Sequence, residues 1–197
     1  FVLAGYDLVQ TWEGFVYHMT SRGSRFKDGA MRNPAGQVFM KGRESTEWLE
    51  QNLRSTRNFI RKWGHMVKHD KMMFPIIPPK YDIGFVVKNC DSKMLRELEP
   101  WCSTIYTDCE YDDYIKEEQR NTAFNLSDRI KPYDNEKNND IIVKFDAKML
   151  NANNFQVIVN LSEMFKDSAE VGEMEYDVFH FDINSLETYE KDLIIRE

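Results

Sequence analysis

The spacing of apolar and polar residues changes along the chain, and these changes predict its elements. Residues 1–17 combine a glycine turn with short β-favouring runs, which predicts a hairpin, and residues 19–42 form a polar loop that contains several glycines. Apolar residues then recur at helical spacing from Ser45, a capping residue, to Gly64, a residue typical of helix ends. The first part of the chain is therefore predicted to be a hairpin, a long loop and one helix.

The chain after residue 80 alternates between strand patterns and helix patterns. Asp91 is a candidate N-cap for the first of these helices. The predicted strands cover residues 81–88, 103–107, 140–145 and 175–183, and the predicted helices cover residues 91–101, 112–120, 153–165 and 185–195. Regular alternation of strands with helices is typical of an α/β sheet, so we expect a small α/β domain here.

A proline-rich segment and a change in charge separate these two parts. Three prolines within residues 73–80 predict a stiff, extended linker between residues 1–72 and residues 81–197. Residues 1–80 carry 13 Lys and Arg against 7 Asp and Glu, whereas residues 81–197 carry 13 against 26. The formal net charge of −7 therefore combines a basic first part with an acidic second part, which indicates two units with different roles.

Composition narrows the class of protein. With 42% hydrophobic and 30% charged residues, the chain has the composition of a folded globular protein, and no apolar run approaches the length of a membrane-spanning helix. The three cysteines, Cys90, Cys102 and Cys109, form no C-x-x-C pair, so we expect small buried or half-buried thiols in a reducing cytoplasm. The acidic second part argues against nucleic acid as its partner.

One segment, residues 16–25 with the sequence VYHMTSRGSR, groups residues that suit a metal–diphosphate ligand. A histidine at a strand end, such as His18, can ligate a divalent cation through a neutral ring nitrogen. The guanidinium groups of Arg22 and Arg25 match phosphate oxygens, and Ser24 adds a hydroxyl donor. From composition alone, a solvated polar loop stays the alternative interpretation.

The segment LAGYDLVQTWEGFVYHMTSRGSRF resembles the closing part of family 2 glycosyltransferases, which are inverting enzymes of the A-type fold. The later FIRKWG resembles the helix ending of many members, and the two motifs stand in the expected order within residues 1–64. The resemblance implies that His18 completes a divalent-metal site for Mg or Mn. It also implies that Arg22, Ser24 and Arg25 cover the diphosphate of a nucleotide-sugar donor, whose sugar passes to a glycan or another hydroxyl acceptor.

The same resemblance implies what residues 1–197 lack. In this family the nucleotide-binding half, the Asp-x-Asp metal motif and the Glu-Asp base motif all precede the turn that matches Gly5-Tyr6. Because the chain begins at Phe1 within an apolar pattern, we expect it to be the tail of a longer protein. It would then hold the C-terminal hairpin, loop and helix of a truncated A-type glycosyltransferase domain, followed by a small α/β sheet domain, with no catalytic residue and no activity alone.

Two other function classes stay open. The chain could be a non-catalytic interaction module, in which a basic docking half binds an acidic partner and the acidic α/β domain has no catalytic role. Nucleic-acid binding is a weaker hypothesis, since the basic residues on the predicted helix are few: Arg54, Arg57, Arg61 and Lys62.

Several acidic and aromatic residues of the second part have both a chemical and a structural interpretation. The acids of residues 108–113 and 117–118 are expected to form a solvated face, although they could bind a cation or a basic partner. Glu97, Glu99 and Trp101 could line a sugar-binding wall, because carboxylates bind hydroxyls and an indole stacks on a sugar face. Packing of the tryptophan in or near the core is the competing interpretation.

Overall fold

The protein is described here by a computed structural model, which defines Tyr6, Val9, residues 31–32 and 38–39, and residues 46–189. The chain divides into two compact units, Phe1–Thr56 and Arg57–Glu197. In the first unit, strand β1 (Met31–Arg32) pairs antiparallel with β2 (Val38–Phe39). The loop predicted over residues 19–42 therefore contains a short strand pair that the sequence pattern did not indicate, whereas the hairpin predicted over residues 1–17 lies outside the described residues.

Helix α1 (Thr46–Trp63) confirms the helix predicted from Ser45 to Gly64. Gly64 ends it with a φ of +77°, a left-handed conformation that glycine adopts without a steric penalty. The ammonium group of Lys80 donates hydrogen bonds to the carbonyl oxygens of Arg61 at 2.8 Å and Lys62 at 3.0 Å. This side chain thereby satisfies carbonyl groups that the end of a helix leaves without a partner.

The second unit continues from the end of α1 through a small hairpin into a six-stranded sheet. The hairpin pairs β3 (Lys68–His69) with β4 (Pro75–Ile76). The remaining elements, in chain order, are β5 (Ile83–Lys88), α2 (Ser92–Leu98), β6 (Thr104–Thr107), α3 (Asp112–Glu118), α4 (Leu126–Arg129), β7 (Ile130–Pro132), β8 (Ile141–Asp146), α5 (Phe155–Val159), α6 (Leu161–Ser168), β9 (Gly172–Tyr176) and β10 (Phe179–Ile183). This mixture of a sheet with helices confirms the α/β class.

The strand order of the sheet is β7-β6-β5-β8-β10-β9. Strands β7, β6, β5 and β8 are parallel to one another, and β10 is antiparallel to both of its neighbours. From β5 the chain continues to β6 on one side, while β8 lies on the other side. The carboxyl ends of β5 and β8 therefore form a topological switch point, where open α/β sheets commonly bind their ligands.

The two faces of this sheet are covered differently. The face that we call the helix face presents Ile83, Phe85 and Val87 to one large apolar core, which includes buried residues from each of the helices α2 to α6. The opposite face, called the loop face, holds a small cluster of Val86, Tyr106 and Ile142. Tyr133 packs against this cluster from the loop that joins β7 to β8, residues 133–140.

The structure corrects three sequence predictions near the end of the unit. Residues 175–183 are not one strand, because Asp177, with a φ of +53°, lies in a two-residue turn between β9 and β10. The helix predicted over residues 153–165 is divided into α5 and α6 at Asn160. Residues 185–189 are not helical, since Thr188 forms a β-bridge with Tyr81. Among the described residues, no helix is both long and apolar enough to cross a membrane.

Candidate functional site

The residues that the sequence assigns to a metal–diphosphate site lie outside the part of the chain that the structure describes. These residues are His18 as the metal ligand and Arg22, Ser24 and Arg25 as the diphosphate-binding group. Their arrangement stays a prediction. Within the described ranges, no group of three or more His, Cys, Asp or Glu side chains is placed to hold a metal ion.

The described residues do bring polar side chains together at the switch point of the sheet. Asn89 follows β5 with a φ of +53°, and its amide nitrogen donates to the Asp146 carboxylate at the end of β8 at 2.7 Å. Asp108, just after β6, accepts the backbone N–H groups of Asn89 at 2.8 Å and Cys90 at 3.1 Å. Two carboxylates therefore connect the carboxyl ends of three neighbouring parallel strands.

Two thiols lie at the same edge. The hydroxyl group of Thr107 donates to the sulfur of Cys109 at 3.4 Å. The thiol of Cys90 is within hydrogen-bonding reach of two acceptors, the Asp91 carbonyl oxygen at 3.5 Å and the sulfur of Cys109. The hydrogen bond from Cys90 lowers the pKa of Cys109 to about 7, although partial burial opposes this shift. The same hydrogen bond raises the pKa of Cys90, and burial of the thiol adds a smaller increase.

The third thiol is in a different environment. Cys102 is buried in the helix-face core, and burial raises its pKa above the ordinary value. All three cysteines are free. Cys102 is buried, and Cys90 and Cys109 are half-buried at the sheet edge, so the structure agrees with the prediction of buried or half-buried thiols.

An open groove of about 320 Å³ lies between α2 and the segment that leads into α5. Met94 and Glu97 line it from α2, and Phe155 lines it from α5. Trp101 packs edge-on against Phe155, with ring centroids 6.4 Å apart, and so fits the packing interpretation of this tryptophan. Of the proposed sugar-binding wall, only the Glu97 side chain lines the groove.

Glu99 instead belongs to a buried set of charges that we call the ion cluster: Arg57, Arg61, Glu99, Glu118 and Arg129. Arg61 contacts Glu99 at 2.7 Å and Glu118 at 2.9 Å, and the side chains of Arg61 and Glu99 are 0% exposed. Arg57 donates two hydrogen bonds to Glu118, at 2.8 and 2.7 Å, and Arg129 donates to Glu99 at 2.6 Å. Each carboxylate therefore has two arginine partners.

The electrostatics of the ion cluster favour its charged form. Burial alone would raise the pKa of Glu99, but Arg129 and Arg61 hold it below its ordinary value. Burial would likewise lower the pKa of Arg61, yet the hydrogen bonds and charge of Glu99 keep it above the ordinary value. The hydroxyl group of Tyr114 adds a further hydrogen bond to Glu99 at 3.0 Å. The hydrogen bonds and opposite charges of the ion cluster therefore favour the ionised forms of Glu99 and Arg61.

This arrangement corrects three sequence interpretations. Glu118 is not part of a solvated acidic face, because its carboxylate is buried against arginines. Glu99 has no free oxygen directed at a sugar, since arginines and Tyr114 occupy both of its oxygens. Arg57 and Arg61 are neutralised internally, so they add little positive charge that could attract nucleic acid.

No protein-family model matches this chain, and neither a curated protein nor a solved structure matches it. The α/β class therefore rests on the observed sheet and its helices, and the function has to be argued from residue chemistry. Within the described residues, that chemistry is concentrated in two places, the carboxyl edge of the parallel strands and the ion cluster.

Proposed function

We propose that this chain contains the closing segment of a family 2 glycosyltransferase, which acts in the cytoplasm and moves a sugar from a nucleotide-sugar donor to a glycan or another hydroxyl acceptor. The observation that carries the proposal is the ordered pair of motifs, VYH with its Ser/Arg-rich loop and then FIRKWG. The local structure of the second motif supports it, because α1 ends at Trp63 and Gly64 takes the left-handed conformation of a helix terminator.

The chemistry of sugar transfer accounts for the residue types in the first motif. Negative charge builds up on the leaving diphosphate as the anomeric C–O bond breaks, and fixed positive groups stabilise that charge. The guanidinium groups of Arg22 and Arg25 and the hydroxyl of Ser24 would bind these oxygens, and His18 would hold the divalent cation. When bound, Mg or Mn would neutralise part of the charge. The carboxylate base that deprotonates the acceptor would come from another part of the enzyme.

Under this proposal the small α/β domain, residues 81–197, is an accessory domain that positions the acceptor or mediates assembly. The ion cluster weakens the competing proposal of an interaction module with a basic docking half. Arg57 and Arg61, two of the basic residues on which that proposal depends, are bound by Glu99 and Glu118.

The experiment uses the intact protein that the gene encodes, with Mn²⁺ and a panel of nucleotide sugars, and measures release of the nucleoside diphosphate. We expect turnover by the intact protein and none by residues 1–197 alone. Removing only the hydrogen-bond partner of a metal ligand already lowers metal affinity by up to about 100-fold. His18→Ala removes the ligand itself, so it should reduce both turnover and Mn²⁺ affinity by at least about 100-fold. His69→Ala is the matched control, because His69 is exposed and lies outside both motifs.

Three results would contradict the proposal. A gene that starts directly before Phe1 would leave no room for the nucleotide-binding half. Turnover of a nucleotide sugar by residues 1–197 alone would show that the catalytic machinery is not where the resemblance puts it. Unchanged Mn²⁺ affinity in His18→Ala would remove His18 from the metal site.

A further inference from the structure

The two half-buried thiols lie side by side because of the sheet topology. Val87 of β5 faces Thr107 of β6 in the parallel register, and Cys90 and Cys109 follow within three residues of that pair. The Asp108 carboxylate accepts the backbone N–H of Cys90 at 3.1 Å and thus holds its backbone beside the residue that precedes Cys109. This arrangement places Cys90 and Cys109 in adjacent loops at the carboxyl ends of β5 and β6.

The two sulfurs are chemically unequal. Cys109 accepts hydrogen bonds from Thr107 and Cys90, and both contacts stabilise its thiolate. Cys90 instead donates to the Asp91 carbonyl oxygen at 3.5 Å, and its pKa is raised. The carboxylates of Asp91 and Asp108 face the pair and oppose ionisation, but they do not reverse the difference. A thiolate that is partly exposed and has a second thiol next to it is the arrangement of a redox-sensitive cysteine.

We propose that Cys90 and Cys109 form a reversible redox pair, in which Cys109 reacts with a peroxide and Cys90 then closes a disulfide between the ends of β5 and β6. In the first step the Cys109 thiolate attacks hydrogen peroxide, the O–O bond breaks, and a proton completes one water and a sulfenic acid. In the second step the Cys90 sulfur displaces the sulfenic oxygen, which leaves as the second water. Two thiols are oxidised by two electrons, and one peroxide is reduced.

The disulfide would add a covalent link between the carboxyl ends of β5 and β6, beside the switch point of the sheet. A small thiol such as glutathione would reverse it by thiol–disulfide exchange, and each disulfide reduced would yield one oxidised glutathione. Asn89 and Asp108 lie in the same two loops, so oxidation would fix the edge where an α/β sheet binds its ligands. This inference does not depend on the proposed glycosyltransferase activity.

The test treats the fully reduced 197-residue chain with hydrogen peroxide and follows free thiols and the intact mass. The wild type should lose two thiols and the mass of two hydrogens, with a peptide containing Cys90 linked to one containing Cys109. Cys102→Ser, the matched control, should behave in the same way. Cys90→Ser should accumulate a sulfenic acid at Cys109 that dimedone traps. Cys109→Ser should lose thiols at least about 10-fold more slowly, because the remaining thiols are mostly protonated.

Iodoacetamide labelling adds a second readout that does not need the disulfide to form. Cys109 should be alkylated with a midpoint near pH 7, well before Cys90. Two or three free thiols left after peroxide treatment, a link that involves Cys102, or a disulfide between two copies of the chain would each overturn the proposal. Faster alkylation of Cys90 than of Cys109 would overturn it as well.

Discussion

The helix face and the loop face of the sheet bury their strand residues by different means. On the helix face, Phe85 and Val143 are completely buried beneath a layer of helices. On the loop face, Val86 and Ile142 are only slightly more exposed, yet the covering segment is an eight-residue loop that carries Tyr133. A short crossover loop is therefore sufficient to bury the centre of a sheet. The strand residues beneath the loop belong to a much smaller apolar cluster than the strand residues beneath the helices.

Charged residues show the same contrast. The ion cluster lies on the helix side, where Arg61 and Glu99 have no exposed side-chain surface. The loop face instead has an ion pair of Lys144 with Asp182, in which the lysine side chain is 47% exposed. Water screens the second pair, whereas a buried charge that loses its partner has no water to replace it. The faces should therefore respond very differently to removal of a single charge.

The largest effect is expected for Glu99→Gln. This change keeps the shape of the side chain but removes the negative charge that both Arg61 and Arg129 contact. Leaving buried guanidinium groups without their partner should lower the free energy of unfolding by about 3–5 kcal/mol. Urea denaturation, monitored by circular dichroism, measures this decrease in the free energy of unfolding.

The matched control on the loop face is Asp182→Asn, which removes the charge that pairs with Lys144. It should lower the free energy of unfolding by no more than about 1 kcal/mol, as for other ion pairs in which one partner is exposed to water. If the two substitutions had equal effects, the burial of the ion cluster would not be what makes it important for stability.

Two neighbouring isoleucines offer the next comparison. Ile141 packs into the helix-face core and Ile142 into the loop-face cluster, and they are 0% and 4% exposed. Ile141→Ala should lower the free energy of unfolding by about 4 kcal/mol and Ile142→Ala by about 2 kcal/mol, because a loop can relax into a cavity more readily than packed helices. Urea titration of both variants decides this. An equal or larger effect at Ile142 would show that the loop is as firmly packed as the helices.

Most of the helices and strands could be predicted because their patterns are regular. Asp91 was a candidate N-cap, and its carboxylate accepts the backbone N–H of Met94 at 2.7 Å. The turn between β9 and β10 was missed because Asp177 and Val178 include no glycine or proline, although the adjacent apolar residues Val178 and Phe179 interrupt the polar–apolar alternation. Strand β7 has only three residues and ends at Pro132, so it is too short to produce a periodic signal.

The ion cluster could not be predicted, because charge alone does not show whether a residue is buried. Arg61 and Glu99 are 38 positions apart, and only the fold brings them together. One signal was present, since Arg57 and Arg61 share a helical face with Ile60, which is buried. The contact between Cys90 and Cys109 likewise required knowledge that β5 and β6 are neighbours in the sheet.

A smaller effect than that of either isoleucine is expected where the loop crosses the sheet. A Cβ atom at Gly84 would lie 2.4 Å from Oδ1 of Asn139, far closer than a carbon and an oxygen can approach. That oxygen accepts a hydrogen bond from the Tyr106 hydroxyl at 3.1 Å, and the Asn139 amide donates to Asp82 at 2.7 Å. Gly84→Ala should displace Asn139 and lower the free energy of unfolding by about 1–2 kcal/mol, as overpacking does elsewhere.

A double-mutant cycle separates this clash from any other effect of the new methyl group. In an Asn139→Ala background the two nearest atoms, Oδ1 and Cγ, are gone and only Cβ remains, at 3.1 Å, so adding Gly84→Ala should cost much less in urea denaturation than it does in the wild type. A strong non-additivity would show that close approach of the loop, and not strand propensity, requires glycine at residue 84. The same cost in both backgrounds would mean that Asn139 moves aside freely, and that the loop face is covered even more loosely than its contrast with the helix face suggests.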